Sequence, residues 1–372
     1  MNTLLFTLEY PPFRGGVASY YGNLVKYWPT FAKASAGKPT EKNEIFVLNN
    51  NDGKLLAGRL PILKWLPAFG ALWQEVKSKK INHVLVGNIL PLGTVTLVMS
   101  KILKFKYAVF IHGTDIAYAQ KQTRKRWLAK IILKNADKVI CNSRYTAGLV
   151  EKFIGDRDKV CVVNPGVDPT LTLPLRRRGN YAKNYNLDNK IILFTICRLI
   201  KRKGVDKAIE VMPEVLKSFP NLVYVVAGGG PDEGYLKTSP PAPFLIKRGE
   251  LVFLGKITDE EKWTWLDLCD IFIMPTREED GNFDGFGIVY LEANLSGKPV
   301  IAGRSGGVAE AVEDGVSGLL VDPNDAEEIK NAIIKLARDE NLRKELGEQG
   351  RERAIKNFNW EKQVRKIYDL IK

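Results

Sequence analysis

Residues 271–303 read IFIMPTREEDGNFDGFGIVYLEANLSGKPVIAG. An apolar run of strand length, IFIMPT, passes through a polar, glycine-bearing turn into a helix-like stretch around Glu292, and a second apolar run, KPVIAG, follows. That succession is a βαβ unit, with two parallel strands in one sheet and the helix against its face. The alternation continues outward. IILFTICRL, LVYVVAGGG and LVFLG precede it, and the first half carries TLLFTL, EIFVLN, HVLVG, YAVFIHG, KVICNS and KVCVVN. The fold class is therefore α/β, parallel sheets with helices on both faces.

The chain has 372 residues, 45% of them hydrophobic and 26% charged, which excludes a disordered or fibrous protein and suggests two domains. Between the halves, Pro169 to Asn189 holds Pro174, the triplet Arg176 to Arg178 and a polar tract, as a linker should. The boundary is expected near residue 184, giving domains 1–183 and 184–357. KASAGKPTEKN, Lys33 to Asn43, reads as an exposed loop. The last segment spaces Trp360, Val364, Ile367, Tyr368 and Ile371 on one helical face, so residues 358–372 must dock on a core.

Four cysteines, Cys141, Cys161, Cys197 and Cys269, form no CxxC, so neither a zinc site nor a disulfide framework is indicated. Only His83 and His112 supply imidazole, and no HExxH accompanies them, so no metal is expected. MNTLLFTLEYPP reads as a first strand and not as a signal peptide, from which a cytoplasmic protein is expected. Ile81 to Ser100 has no formal charge over a near-spanning length, yet Asn82, Asn88, Pro91 and Gly93 divide it into strand, turn and helix.

Charge is uneven. Residues 1–185 carry 29 Lys+Arg against 11 Asp+Glu, and 186–372 carry 27 against 31. A basic first half points to an anionic surface or polymer as partner. LPILKWLPAFGALWQEVKSKK, with Trp65, Phe69 and Trp73 beside Lys77, Lys79 and Lys80, and KQTRKRWLAKIILK, Lys121 to Lys134, suit a helix lying on anionic lipid. The plainer alternative turns the aromatics into the core, and for the second stretch it is the preferred reading. No nucleic-acid motif accompanies the charge, so nucleic acid is not an expected partner.

Several stretches could carry chemistry. In LEYPPFRGGVASYYGNLV, Gly15 and Gly16 precede a helix, where free amides and the helix dipole favour a phosphate; a merely tight turn explains them equally. Gly228 to Gly230 lead into Pro231 without a Walker lysine or GxGxxG, so no P-loop is supported. In CRLIKRKG, Arg198 and Lys203 beside Gly204 would clamp a diphosphate, or form a solvated basic turn. Asp284 and Glu292 flank the amides of Gly285, Phe286, Gly287 and Ile288; the carboxylates can accept from hydroxyls, or merely cap a helix.

Taken together, PPFRGGV, HGTD at His112 to Asp115, ICNSRYTAGLV, VVNPGVD, RLIKRKG, AGGGP, DGFGIVYLEA, GKPVIAGRSGGVAEAV and GLLVDP resemble, in order, the retaining nucleotide-sugar-dependent glycosyltransferases of family 4. The wording GFGIVYLEA with SGKPVIAG is similar to bacterial mannosyltransferases acting on phosphatidylinositol-type lipids. The resemblance implies the GT-B fold, two Rossmann-like domains facing each other across a cleft, with the C-terminal helix crossing back to the first.

It also implies roles. Arg198 and Lys203 would bind the donor diphosphate, Glu292 the ribose, and Asp284 with the amides of Gly285 to Ile288 the transferred sugar. Gly15 and Gly16 would face the diphosphate across the cleft, Gly255 and Lys256 would border the base, and His112 would lie beside the reacting centre. The family pattern has glutamate where Asp284 stands, which leaves the donor sugar open. The implied reaction is transfer of a hexose, mannose from GDP-mannose as first choice over a UDP-hexose, to a lipid-linked or glycan hydroxyl, without an essential metal. The basic first domain would dock on the inner face of the plasma membrane. A sugar-nucleotide 2-epimerase of the same fold, or a non-catalytic binding protein, is the alternative.

Overall fold

The computed structural model describes residues 1–13, 15–28, 43–53, 55–56, 65–171, 185 and 187–372. The expected boundary near 184, the arginine triplet, Arg14 of PPFRGGV and the loop from Lys33 up to residue 42 lie outside the described residues. The chain forms two compact units, Met1–Gly166 with Trp360–Lys372, and Val167–Asn359.

The first unit holds six parallel strands: β1 (Asn2–Phe6), β2 (Glu44–Leu48), β3 (His83–Val86), β4 (Lys106–Ile111), β5 (Lys138–Cys141) and β6 (Val160–Val162), in the order β2-β1-β3-β4-β5-β6. Its inner strands are buried on both faces, as the unbroken runs LLF, VLV and AVFI require. Helices α1 (Gly16–Tyr27), α2 (Pro67–Ser78), α3 (Leu92–Leu103), α4 (Thr114–Gln120), α5 (Thr123–Asn135) and α6 (Arg144–Ile154) cover the sheet. The uncharged stretch 81–100 resolves into β3, a turn and most of α3, and no helix among the described residues is long and apolar enough to cross a membrane.

The C-terminal helix Trp360–Ile371 packs on α1 and β5 of this first unit. Trp360, Val364, Ile367 and Ile371 are buried there with Tyr20, Leu24 and Trp28. Side chains of this size contribute about 1.5–3 kcal/mol each when withdrawn from water, which fastens the helix. Its arrival is tight: a Cβ on Gly166 would lie 2.7 Å from the Trp360 Cα.

The second unit repeats the plan with β7 (Ile191–Ile196), β8 (Leu222–Ala227), β9 (Leu251–Gly255), β10 (Ile271–Met274), β11 (Val300–Gly303) and β12 (Gly318–Val321). Their order is β12-β11-β10-β7-β8-β9, all parallel. The order reverses between β7 and β10, and in the first unit between β1 and β3. In open α/β sheets a ligand crevice opens beyond the carboxyl ends of the strands at such a reversal.

Candidate active site

Beyond the carboxyl end of β7 the chain runs through Cys197 to Ile200 into a single turn of 3₁₀ helix, Lys201–Lys203, and then to Gly204. Gly204 is left-handed at φ 74°, and a Cβ on it would lie 2.0 Å from the Pro275 carbonyl oxygen, so only glycine allows β7 and β10 to exit this close together. Arg198 is exposed, with no ion pair among the described residues. Gly228 and Gly230 hold its loop from below: their Cβ positions would lie 1.8 Å from the Cys197 carbonyl oxygen and 2.1 Å from that of Leu199. That run of glycines thus serves the close packing of two backbones.

Opposite, beyond β10, Asp284 is 6% exposed. Its Oδ2 accepts from Lys203 Nζ at 2.6 Å and its Oδ1 from Arg202 Nη1. Burial works to raise this carboxyl, and the two cations override it, holding it below the usual aspartate value. The Asp284 carbonyl accepts from the Gly307 amide at 3.0 Å, tying the DGFG turn to the glycines after β11. Gly287, left-handed at φ 89°, then starts the helix Ile288–Leu295. The Phe286 ring is buried against Phe358, 5.7 Å between centroids, so that residue can offer a ligand its backbone only.

Glu292, in that helix, accepts from Lys262 Nζ at 2.7 Å. Gly255 ends β9 at φ 70°, and the Lys256 stem passes 3.1 Å from the Cβ position of Gly229. Arg198, Lys203, Asp284 with Gly285 to Ile288, Glu292, Gly255 and Lys256 are thus all carried by the second unit, with Arg198, Lys203 and Asp284 at its strand reversal. The acidic run Glu278 to Asp280 lines a separate cavity of about 670 Å³ with Lys201, Asp206 and Arg277. None of Arg198, Lys203, Asp284 and Glu292 borders it.

In the first unit Gly15 and Gly16 are exposed at the start of α1, with nothing within 4 Å of either Cβ position. His112 follows β4. Asp115 accepts from the amides of His112 (3.1 Å), Gly113 (2.9 Å) and Ile116 (3.0 Å), and Asn142 Nδ2 donates to the His112 carbonyl at 3.0 Å. The HGTD turn is therefore rigid. Burial lowers the His112 pKa to about 4, which keeps the ring neutral, and raises that of Asp115 to about 6 against its amide bonds.

Three partners escaped sequence reasoning: Arg202 on Asp284, Lys262 on Glu292 and Tyr21 on His112. Arg202 lay in view inside RLIKRKG, but only the 3₁₀ turn decides which of three adjacent cations faces inward. Lys262 and Tyr21 carry no sequence signal. Among the described residues no group of three or more His, Cys, Asp or Glu side chains is arranged to hold a metal ion.

On the surface of the first unit, α3 packs against both α2 and α5. Trp65 and Phe69 are half-buried, but Trp73 is 52% and Trp127 65% exposed. The preferred reading of the second stretch, aromatics turned inward, therefore fails at Trp127: Ala129, Ile132 and Leu133 fill the core side of α5, and Trp127 falls on the opposite side.

The family model described as "Glycosyltransferase Family 4" matches residues 15–171, and that described as "Glycosyl transferases group 1" matches residues 178–353. The GDP-mannose-dependent alpha-(1-6)-phosphatidylinositol monomannoside mannosyltransferase of Mycolicibacterium smegmatis is 29% identical over 379 residues, covering 99% of this chain and 97% of that protein. The protein of the same name from Mycobacterium tuberculosis is 26% identical, covering 100% and 98%. Among solved structures, Anabaena HepE in complex with UDP superposes with a TM-score of 0.77 at 20% identity, covering 99% of both chains. Sucrose-phosphate synthase from Thermosynechococcus elongatus gives 0.78 at 21%, covering 100% and 98%. These likenesses establish the GT-B fold.

Proposed function

The chain belongs to the family 4, group 1 glycosyltransferases, and from that premise we propose that it is a retaining transferase moving mannose from GDP-mannose to a hydroxyl of a lipid-linked or saccharide acceptor. The observation that carries this reading is the contact of Lys203 and Arg202 with Asp284 at the β7/β10 reversal, a cationic pair beside a carboxylate where a ligand crevice belongs. A diphosphate drawn to Arg198 and Lys203 would take over their charge, and Asp284 would turn its oxygens to hydroxyls of the sugar. Glu292, held by Lys262, would accept from the ribose. The choice of mannose and GDP leans on the printed names of the mycobacterial relatives.

In the reaction so read, the bond from the anomeric carbon to the phosphate oxygen breaks as the acceptor oxygen bonds to the same face. The acceptor's proton passes to the departing phosphate. Catalysis is then positioning together with charge stabilisation by Arg198 and Lys203, and no metal is called for. His112, neutral and rigid, would take a hydroxyl of the sugar beside the reacting carbon.

The acceptor would be met at an anionic lipid surface on the cytoplasmic side. Trp73 and Trp127 stand exposed among Lys77, Lys80, Arg124, Arg126 and Lys130, the amphipathic basic pattern that lies on acidic lipid.

The test is incubation of the purified chain with GDP-mannose, UDP-glucose or UDP-N-acetylglucosamine, with and without phosphatidylinositol-type lipid, following nucleotide release and the anomeric configuration of the product. Release of GDP with an α-mannoside formed is expected. A β-linked product, or indifference to every nucleotide sugar, would overturn the reading, and release of a free epimerised sugar nucleotide would replace transfer by epimerisation.

A further inference from the structure

The Tyr21 hydroxyl is fully buried in α1, 2.9 Å from the Gly87 carbonyl oxygen and 2.9 Å from His112 Nε2. A phenol has one proton and a carbonyl can only accept. If Tyr21 gave its proton to Nε2, two oxygens would face each other at 2.9 Å with no hydrogen between them. Tyr21 therefore donates to Gly87 and accepts from Nε2. The Gly87 carbonyl has little room to move away: its amide donates to Phe6 at 2.8 Å, and a Cβ there would lie 2.5 Å from Thr7 Oγ1.

We propose that Tyr21 is a positioning residue which fixes His112 as the Nε2–H tautomer, so that the ring meets a substrate hydroxyl with the lone pair of Nδ1 and acts there as acceptor only. Nδ1 has no hydrogen-bond partner among the described residues. Packing fixes the ring plane as well: Phe110 stacks on it at 14°, and Tyr20 and Tyr21 meet it edge-on at centroid distances of 5.0 and 5.4 Å. The His112 amide donates to Asp115 and its carbonyl already accepts one bond, from Asn142, so the ring presents the wholly unengaged acceptor. An acceptor at this point selects a hydroxyl and disfavours a second acceptor such as a carboxylate or ether oxygen. That half of the inference rests on the role given to His112 above; the tautomer does not.

With only two histidines in the chain, long-range proton–nitrogen NMR on the histidine-labelled full chain reads the tautomer directly. His83→Gln assigns the spectrum, since His83 starts β3 at the edge away from the strand ends that carry the site. At pH 7 His112 is expected to be neutral with its proton on Nε2. In Tyr21→Phe that preference should be lost, and kcat for GDP release from GDP-mannose should fall roughly tenfold, the size of one hydrogen bond, with the donor KM little changed. An Nδ1–H signature in the wild type overturns the proposal, as does a Tyr21→Phe protein that keeps both the Nε2–H form and full kcat. Should Tyr21→Phe fail to fold, the wild-type spectrum decides alone. If His112→Ala turns over at the wild-type rate while the wild type shows Nε2–H, the substrate contact falls and the positioning stands.

Discussion

Lys203 Nζ lies 2.6 Å from Oδ2 of Asp284, joining the loop after β7 to the loop after β10 across the strand reversal of the second sheet. Arg202 takes the other oxygen. The carboxylate thereby holds the lysine head at the strand reversal, and in the reading proposed above a bound diphosphate would draw that head from Asp284.

If that head stabilises the departing charge, Lys203→Ala should lose about 2.7–4 kcal/mol of transition-state stabilisation, roughly 10²–10³ in kcat. Arg202→Ala should cost less, because Asp284 keeps one cation. Steady-state GDP release measures both, and a Lys203→Ala enzyme working near the wild-type rate would sink the clamp.

The sheets were legible because strands buried on both faces must be unbroken apolar runs, and every run quoted from the sequence became a strand. Glycine was legible as a residue type but not as a role: Gly228 and Gly230 relieve backbone crowding against Cys197 and Leu199, whereas Gly15 and Gly16 face open space. The site was half legible. Arg198, Lys203, Asp284 and Glu292 announce themselves by charge next to glycine turns, but their partners Arg202 and Lys262 depend on which way a side chain leaves a turn or helix. Trp127 shows the same limit, since an aromatic in a basic helix reads equally as core or surface until its neighbours take the core.

Gly204→Ala tests how strictly the β7 exit is built. An alanine there needs φ near 74° and brings its Cβ within 2.0 Å of the Pro275 oxygen, so the two loops must separate. A loss of stability of roughly 1–3 kcal/mol is expected, with weaker donor binding, read by urea unfolding and by thermal shift with GDP-mannose. Unchanged values for both would mean that the exits tolerate separation.

Docking through α2 and α5 predicts binding to phosphatidylinositol-containing vesicles that falls as salt rises from 0.05 to 0.5 M, screening lengths being about 10 Å near 0.1 M. Trp73→Ala with Trp127→Ala should weaken it several-fold while GDP release without lipid is kept. Equal co-sedimentation with neutral and anionic vesicles would dispose of the electrostatic part.

Between about pH 4 and 6 the stability of the first unit should depend on pH through four groups whose pKa values burial shifts, His83, His112, Asp115 and Glu9. His83 begins β3 with its Nε2 unpartnered, and burial, with Asp137 opposing and Lys106 reinforcing, lowers its pKa from 6.5 to about 4; burial does the same to His112. In that window the unfolded chain binds a proton at each and the folded chain does not, so each contributes stability above pH 6.5 that is lost as pH falls through 4. Asp115 runs the other way, raised from 3.8 to about 6: the folded chain holds its proton, and that contribution is lost as pH rises through 6. Glu9, whose carboxyl burial raises as well, works on the side of Asp115, so each histidine contributes a rise of about 1.4 kcal/mol per pH unit and the two carboxyls oppose it. Relative to the wild type, His83→Gln should lower the slope by about 1.4 kcal/mol per pH unit and Asp115→Asn should raise it by about as much. Urea unfolding followed by tryptophan fluorescence at pH 4.5, 5.25 and 6 measures all three proteins; parallel slopes would mean that His83 and Asp115 titrate as they do in water.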